Sequence, residues 1–200
     1  MIKGYFGLPG SGKTTFLTMI AQKELNRIAS GRSPYKRVLT NFYCHGCYMI
    51  DYSQLGLYDL SESLILLDEI TLDADSRNFK QFDQIKKKFF LMHRHYSIDV
   101  IYFTQQWDGV DKKIRDITHD LYYVKKLRLP LLDNISVATR IFRVLDINED
   151  TKEIINGYRF PNWFDRLIGR TREWCIRPRW YPYFDSYDRE DLPEFTFTEW

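Results

Sequence analysis

The first part of the chain alternates apolar runs with turn residues in the order strand, loop, helix, loop, strand. Ile2 to Phe6 is a short β-prone run, and the glycine-rich turn after it leads into a helical pattern from about Lys13 to Ile28. Ala29 to Lys36 contains Ser, Gly and Pro and is typical of a loop, and Arg37 to Tyr43 is again β-prone. The pattern predicts a βαβ unit.

The middle of the chain carries two apolar runs that indicate buried strands. Leu64 to Leu67 is unbroken aliphatic and ends at Asp68 and Glu69, as expected of a central parallel strand covered on both faces. Val100 to Thr104 is a second run of this kind. Between them apolar residues recur at helical spacing, which predicts an amphipathic helix over residues 79–95.

The remaining pattern changes from alternating helices and strands to strands alone. Val110 to Ile117 predicts a short helix, and three strands without intervening helices are predicted at 121–125, 138–145 and 153–160. We therefore expect an α/β fold with a mainly parallel central sheet, flanking helices and a C-terminal antiparallel extension. Residues 1–160 form the predicted main domain, and the aromatic-rich residues 161–200 form an extension that packs on this core or on a partner.

Composition narrows the cellular setting without identifying a ligand. The 200 residues are 44% hydrophobic, enough for one sizeable core, and the net charge of +2 gives no global field that attracts nucleic acid or anionic lipid. Three cysteines are too few for a disulfide framework, and the sequence predicts neither a leader peptide nor a spanning segment of about 18 apolar residues. We expect a cytoplasmic protein without a transmembrane segment, with peripheral attachment at the inner membrane as an open alternative.

The glycine-rich turn has the spacing of a phosphate-binding loop. Its glycines let backbone N–H groups turn inward around a phosphate, in conformations that a Cβ would obstruct. Lys13 is expected to reach the β- and γ-phosphates, and the Thr14 hydroxyl to bind Mg²⁺. The sequence thus predicts an ATP site with Mg²⁺ as cofactor, and the predicted nucleotide-binding residues are Gly7, Leu8, Pro9, Gly10, Ser11, Gly12, Lys13, Thr14 and Thr15.

Polar residues at two strand ends supply the other groups that phosphoryl chemistry needs. Asp68 is the predicted second Mg²⁺ ligand, and Glu69 is the predicted base that activates water, which favours hydrolysis over transfer to a substrate. Gln105 follows the strand that ends at Thr104 and is expected to position the water. The predicted catalytic set at this point consists of Lys13, Glu69 and Gln105. The alternative is that these are ordinary solvated strand ends.

Several stretches beyond the loop occur in the order found in one family. They are Arg37-Val38-Leu39-Thr40-Asn41, Leu66-Leu67-Asp68-Glu69, His93-Arg94-His95-Tyr96 followed by Asp99-Val100-Ile101 and Gln105, and Val110-Asp111-Lys112-Lys113-Ile114-Arg115. With the phosphate loop they resemble the Zot-like P-loop ATPases, named after the zonular occludens toxin and including the filamentous phage assembly protein, within the FtsK and HerA superfamily. The resemblance covers about residues 1–125.

This resemblance implies a viral or prophage ATPase that moves DNA during virion morphogenesis, by packaging or by extrusion. Motors of the superfamily act as homo-oligomeric rings in which an arginine of one subunit completes the neighbour's site, and Arg94 and Arg115 are the candidates here. DNA and virion or host-membrane assembly proteins are the implied partners. Filamentous phage relatives usually continue into a membrane-spanning segment. We see none in this sequence, and therefore expect a packaging motor or an ATPase recruited by a separate membrane protein.

Two other functions stay open at this point. A small-molecule kinase is supported by the adenylate-kinase-like sequence Pro9-Gly10-Ser11-Gly12-Lys13. A nucleotide-gated assembly scaffold would bind ATP only to order an assembly surface.

Weaker patterns have both a functional and an ordinary interpretation. Cys44-His45-Gly46-Cys47 has zinc-like spacing, but two further ligands would have to come from elsewhere, so a loop with two free cysteines is the preferred interpretation. Basic groups that could contact DNA, or simply form solvated faces, are Lys86, Lys87, Lys88, Lys112, Lys113, Lys125, Lys126 and Arg128.

The C-terminal part has two interpretations as well. Trp163, Phe164, Leu167 and Ile168 are interleaved with arginines, as in an interfacial helix, although a helix that closes the core is the preferred interpretation. Residues 185–200 alternate acids with aromatics and are expected to form an arm that packs on a neighbouring subunit or tethers another protein.

Overall fold

The structure of the protein is a computed structural model that describes residues 1–70, 79–127, 133–147, 154–169 and 171–185. The α-helices in these residues are α1 (Lys13–Ala29), α2 (Phe79–Met92), α3 (Lys112–Ile117) and α4 (Trp163–Ile168). The strands are β1 (Ile2–Phe6), β2 (Arg37–Thr40), β3 (Tyr48–Met49), β4 (Ser63–Leu67), β5 (Asp99–Thr104), β6 (Asp120–Lys126), β7 (Ile135–Ile147), β8 (Ile154–Arg159) and β9 (Arg172–Ile176).

The strands form one sheet in the order β3-β2-β4-β5-β1-β6-β7-β8, with β9 paired to β7. The pairs from β3 to β6 are parallel, whereas β7 runs antiparallel to β6, β8 and β9. The predicted α/β P-loop fold with a mainly parallel sheet and an antiparallel C-terminal extension is confirmed. Because β5 lies between β1 and β4, the carboxyl ends of these three strands lie side by side at one edge of the sheet.

Alternate residues of the central strands pack into different layers, because successive side chains of a strand point to opposite faces. On β4, Leu64 and Leu66 belong to the core that contains α1, whereas Ile65 and Leu67 belong to the core that contains α2 and α3. All four side chains are almost fully buried. The unbroken aliphatic run predicted from the sequence is therefore a strand covered on both faces.

A stack of aromatic rings holds α1 on the sheet directly behind the glycine-rich loop. The Tyr5 ring of β1 stacks on Phe103 of β5 and on Tyr122 of β6, each with ring centroids 4.7 Å apart. Phe16 of α1 packs against Tyr5 at 5.8 Å and against Phe103 at 6.3 Å. Because the loop joins β1 to α1, this stack holds in place the two elements that flank the loop.

The predicted elements are present with small changes in bounds, and two strands were not predicted. The strand predicted over Arg37 to Tyr43 ends at Thr40, whose hydroxyl donates to the Phe42 carbonyl at 2.7 Å as the chain turns. β3 and β9 are additional, and β9 brings part of the C-terminal extension into the sheet. The boundary at residue 160 stays a prediction.

The preferred interpretation of the helix near Trp163 is wrong, because α4 does not close the core. Trp163 is 66% exposed and Leu167 is 75% exposed. Cys175 of β9 and Trp180 belong instead to the core on the α1 side of the sheet, where both are buried in the same cluster as Phe16.

No helix in the described parts of the chain has the length and apolar character needed to cross a bilayer. The predicted C-terminal arm lies outside the described residues, except for Asp185.

Candidate functional site

The glycine-rich loop connects β1 to the N-terminus of α1 and has the backbone conformation that its glycines predict. Gly10 and Gly12 have φ values of 74° and 86°, in the left-handed region that residues with a Cβ rarely adopt. The Phe16 amide donates to the Gly12 carbonyl at 2.9 Å as α1 begins. The loop therefore leads directly into a helix N-terminus, where free N–H groups and the helix dipole favour an anion.

Lys13 is the first residue of α1, and its side chain extends back into this loop. Only 9% of the residue is exposed, and its ammonium donates to the Gly7 carbonyl at 3.1 Å and to the Leu8 carbonyl at 3.4 Å. A buried ammonium held by loop carbonyls is already at the place where a phosphate would be bound. Ser11 supplies a second polar group, because its hydroxyl oxygen is buried and has no hydrogen-bond partner among the described residues.

Thr14 and Asp68 form the candidate Mg²⁺ site. The Thr14 hydroxyl donates to Asp68 Oδ2 at 2.5 Å. Burial raises the pKa of Asp68 above its ordinary value, although the Thr14 hydrogen bond and the Lys13 charge act in the opposite direction. Hard oxygen ligands are the donors that Mg²⁺ prefers, and a cation here would favour the charged form of Asp68. The residues present thus fit the metal.

Glu69 lies beside the end of β5. Its backbone φ is 51°, an uncommon value for a residue with a side chain. Its Oε1 accepts a hydrogen bond from the backbone N–H of Gln105 at 3.2 Å. Strained backbone of this kind is often found at functional sites. The contact brings together the ends of β4 and β5, and Gln105 is exposed at this edge. The catalytic roles of Glu69 and Gln105 stay predictions.

Asn41 belongs to the candidate site, although the sequence did not lead us to predict it as a site residue. Its side-chain amide donates to the Asp68 carbonyl at 2.8 Å and accepts from the Asp68 amide at 2.7 Å. The two bonds bridge the end of β2 to the backbone of Asp68, directly before Glu69. The sequence contained a usable signal, because Asn41 follows a buried strand in the same way as Gln105 does.

The antiparallel extension supports the loop from outside. The Ser136 hydroxyl of β7 donates to the Ser11 carbonyl at 2.6 Å. A Cβ added to Gly12 would lie 2.6 Å from Ser136 Oγ and 2.7 Å from Arg177 Cδ, which shows how closely this support packs on the loop. Sequence alone gave no indication of these contacts.

The two candidate arginines, Arg94 and Arg115, contact residues outside the phosphate loop. Arg94 contacts His119, whose Nδ1 accepts from the Ile2 amide at the amino end of β1, opposite the loop. Arg115 donates to Asp108 at 3.0 Å. Within the described residues neither guanidinium bonds to the phosphate loop, so a role for either one in a neighbouring subunit's site stays a prediction.

The weaker sequence patterns have these outcomes. Cys44 and Cys47 are free thiols, and no group of three or more metal-ligating side chains is found in the described ranges. Lys86 lies 3.6 Å from the Tyr52 ring centroid, and Lys126 pairs with Asp133 at 3.1 Å. Lys87, Lys88, Lys112 and Lys113 are exposed, and Arg128 lies outside the described residues. DNA contact by any of these groups stays a prediction.

Comparison with known proteins found one family and several structures. The sequence model described as Zonular occludens toxin (Zot) matches residues 44–187. This range contains Asp68, Glu69 and Gln105, and the glycine-rich loop lies before it. The comparison with curated proteins found no match.

Among solved structures, the N-terminal domain of zonular occludens toxin from Neisseria meningitidis is 16% identical, with a TM-score of 0.50, and the match covers 84% of this chain and 98% of that chain. The DNA-packaging ATPase B204 of Sulfolobus Turreted Icosahedral Virus is 12% identical with a TM-score of 0.45, over 78% of this chain and 95% of that one. The flagellar accessory protein FlaH of Methanocaldococcus jannaschii is 11% identical with a TM-score of 0.48, over 70% and 76%.

Proposed function

The chain belongs to the zonular occludens toxin (Zot) family, and from this premise we propose that it is a viral or prophage ATPase whose hydrolysis of Mg²⁺-ATP drives DNA movement during virion assembly. DNA movement means packaging into a capsid or extrusion through an envelope. The proposal has two parts, hydrolysis and its coupling to DNA, and different observations support them.

The observation that supports hydrolysis is the convergence of three strand ends on the phosphate loop. Thr14 contacts Asp68 at 2.5 Å, and Glu69 contacts Gln105 at 3.2 Å. The Asp68 carboxylate thus lies beside Thr14, the predicted Mg²⁺ ligand of the loop. The Glu69 carboxylate lies beside Gln105 at the end of β5, the strand between β4 and β1. Phosphoryl transfer to water needs this combination of a phosphate cradle, a metal site and a base.

The chain's own groups would divide the work as follows. Lys13 would exchange its loop carbonyls for the β- and γ-phosphates, and the Ser11 hydroxyl would gain a partner in the same cradle. Thr14 and Asp68 would hold Mg²⁺, which supplies positive charge to the phosphate oxygens when bound. Burial raises the pKa of Asp68, so part of this carboxyl would be protonated at a pH near that value. Metal binding at such a pH would release the carboxyl proton.

Glu69 would take the proton of the attacking water, and Gln105 would orient that water. A general base contributes about 10² to 10⁴-fold to a rate when it is positioned by its surroundings. Here the backbone N–H of Gln105 and the left-handed backbone at Glu69 would orient the Glu69 carboxylate. Asn41 bonds to the backbone of Asp68, the residue before it.

Coupling to DNA is supported by family membership, and action in a ring is supported by the placement of Arg94. Arg94 lies at the sheet edge opposite its own loop, so it could act only on a different subunit, as in a ring. An added positive charge at the transferring phosphoryl group would raise the rate in the assembled form. We expect hydrolysis to increase with oligomerisation and with DNA.

The test is ATP hydrolysis by the full chain with and without single- and double-stranded DNA, together with light scattering for the oligomeric state. Lys13→Ala should abolish hydrolysis, whereas Lys23→Ala, an exposed position on the same helix, should leave it unchanged. Nucleotide binding without turnover under all of these conditions would favour the scaffold instead. Turnover that neither DNA increases would overturn the coupling while leaving the ATPase intact.

A further inference from the structure

Two cysteines that the proposed ATPase site does not use lie at the ends of one tight turn. The Cys47 amide donates to the Cys44 carbonyl at 3.0 Å, which closes a four-residue turn after β2. Gly46, in the third position, has φ of 80°, as a type II turn requires. Such a turn keeps its end Cα atoms within about 7 Å, and disulfides join Cα atoms about 4.4 to 6.8 Å apart. The backbone thus already has the spacing of a disulfide.

The side chains of the pair also interact. Cys44 is buried, and its sulfur accepts from the Gln22 amide at 3.7 Å. A hydrogen bond from Cys47, helped by that from Gln22, lowers the pKa of Cys44, and the same contact raises the pKa of Cys47. Cys47 is partly exposed. One thiol is therefore accessible, and its neighbour is the more easily deprotonated of the two.

We propose that Cys44 and Cys47 form a redox-active dithiol that converts to an intramolecular disulfide by exchange with low-molecular-weight disulfides. The Cys44 thiolate takes the proton of the partly exposed Cys47 thiol as the Cys47 sulfur attacks the small disulfide. A mixed disulfide forms on Cys47, and one small thiol is released and carries that proton away. The Cys44 thiolate then attacks the Cys47 sulfur, forms the Cys44–Cys47 bond and releases the second thiol. Both protein protons end on the released thiols, and the small disulfide is the oxidant.

The turn is anchored on two sides, so that the bond can form without loss of the surrounding structure. The Gln22 amide of α1 also donates to the His45 carbonyl at 2.6 Å. The His45 amide donates to the Tyr183 carbonyl at 2.8 Å, and Cys44 pairs with Phe184 in an isolated bridge. Helix α1 and the segment around Tyr183 thus hold the backbone of the turn, and a disulfide between the two sulfurs would not require these contacts to break.

Cys175 provides an internal control because its surroundings differ. It is fully buried in the core against the Thr15 carbonyl, and burial raises its pKa to about 11. A thiol that is both inaccessible and protonated at neutral pH should not exchange. Reaction limited to the turn can therefore be told apart from general oxidation of the protein.

The experiment incubates the full chain in buffers that range from reduced to oxidised glutathione, then blocks free thiols with an alkylating reagent in denaturant and maps the peptides by mass spectrometry. We expect two of the three cysteines to become protected together and to be recovered as one Cys44–Cys47 linked peptide. Cys175→Ala should behave in the same way. Cys44→Ser should accumulate glutathione on Cys47, because the second exchange step is lost.

Three results would overturn the proposal. All three thiols could stay alkylatable in fully oxidised glutathione, the linked peptide could contain Cys175, or the bond could join two chains. Because none of these readouts uses nucleotide, the result is independent of the proposed ATPase activity.

Discussion

The hydroxyl of Thr14 donates a 2.5 Å hydrogen bond to the carboxylate of Asp68, joining the first turn of α1 to the end of β4. β1, which leads into the loop and α1, and β4, which Asp68 follows, are not neighbours in the sheet, because β5 lies between them. The fold thus brings into contact two oxygen-bearing side chains that are 54 positions apart in the chain. This relationship leads to the first two predictions.

Replacing Thr14 separates the role of its hydroxyl from its role in packing. Thr14→Ala should raise the Mg²⁺ concentration needed for half-maximal hydrolysis at least about 10-fold, a loss that even outer metal partners can cause. Thr14→Ser keeps the hydroxyl and should stay close to wild type. A Mg²⁺ titration at fixed ATP measures both, and equal behaviour of the two variants would remove Thr14 from the metal site.

Asp68→Asn should raise the thermal stability of the metal-free protein at neutral pH while abolishing its response to Mg²⁺. The reason is that burial disfavours the charged carboxylate, whereas an amide of the same shape can still accept from Thr14. Thermal unfolding in a chelator, and again with Mg²⁺-ATP, measures both effects. A variant less stable than wild type in chelator would contradict this explanation.

The pH dependence of that difference has a definite sign. A carboxyl whose folded pKa is raised stabilises the folded state below its unfolded pKa, near 3.9 for Asp, and that contribution is lost as the pH rises through the folded value. The stability advantage of Asp68→Asn should therefore be largest at neutral pH and shrink as the pH falls and Asp68 takes up its proton. An advantage that grows on acidification would show the opposite shift.

Asn41 is predicted to position Asp68 and Glu69 without touching nucleotide. Asn41→Ala removes both bonds to the Asp68 backbone and should lower kcat by about 10- to 100-fold with little change in KM. Asn162→Ala is the matched control, since the Asn162 amide oxygen also accepts a backbone N–H, at 2.9 Å, but caps the exposed helix α4. Loss of kcat in both variants would indicate a general effect on stability.

Two loop glycines with similar backbone conformations should respond differently to alanine. At Gly10 the space around an added Cβ is open, so Gly10→Ala should cost only the backbone strain of about 1 to 2 kcal/mol. Gly12→Ala should cost more, because its Cβ would also displace Ser136 from the Ser11 carbonyl. Denaturant unfolding of both variants measures the difference, and equal losses would show that the support from β7 yields freely.

The elements that were predictable from sequence are those whose signal is local. The run from Leu64 to Leu67 shows burial on both faces within a few residues, and the glycine spacing defines the loop. β3 is two exposed residues without any alternation, so no pattern could predict it. β9 was missed because the neighbouring aromatic and arginine residues fit a helix equally well.

The site was predictable only where strand order follows from general rules. Asp68, Glu69 and Gln105 stand at the ends of parallel strands, which meet at one edge of a sheet. Ser136 and Ser11 are 125 positions apart, and their contact depends on the antiparallel return of β7 beside β6. Contacts of that kind become visible only in the folded chain.

The most direct test of the account is steady-state ATP hydrolysis by Glu69→Gln, with Glu62→Gln as its control. The two glutamates share a left-handed backbone, with φ of 51° and 56°, but Glu62 pairs with Lys36 on the surface. Glu69→Gln should keep nucleotide binding and lose about 100-fold or more in kcat, and Glu62→Gln should hydrolyse at the wild-type rate. Wild-type hydrolysis by Glu69→Gln would contradict its assignment as the base that activates water.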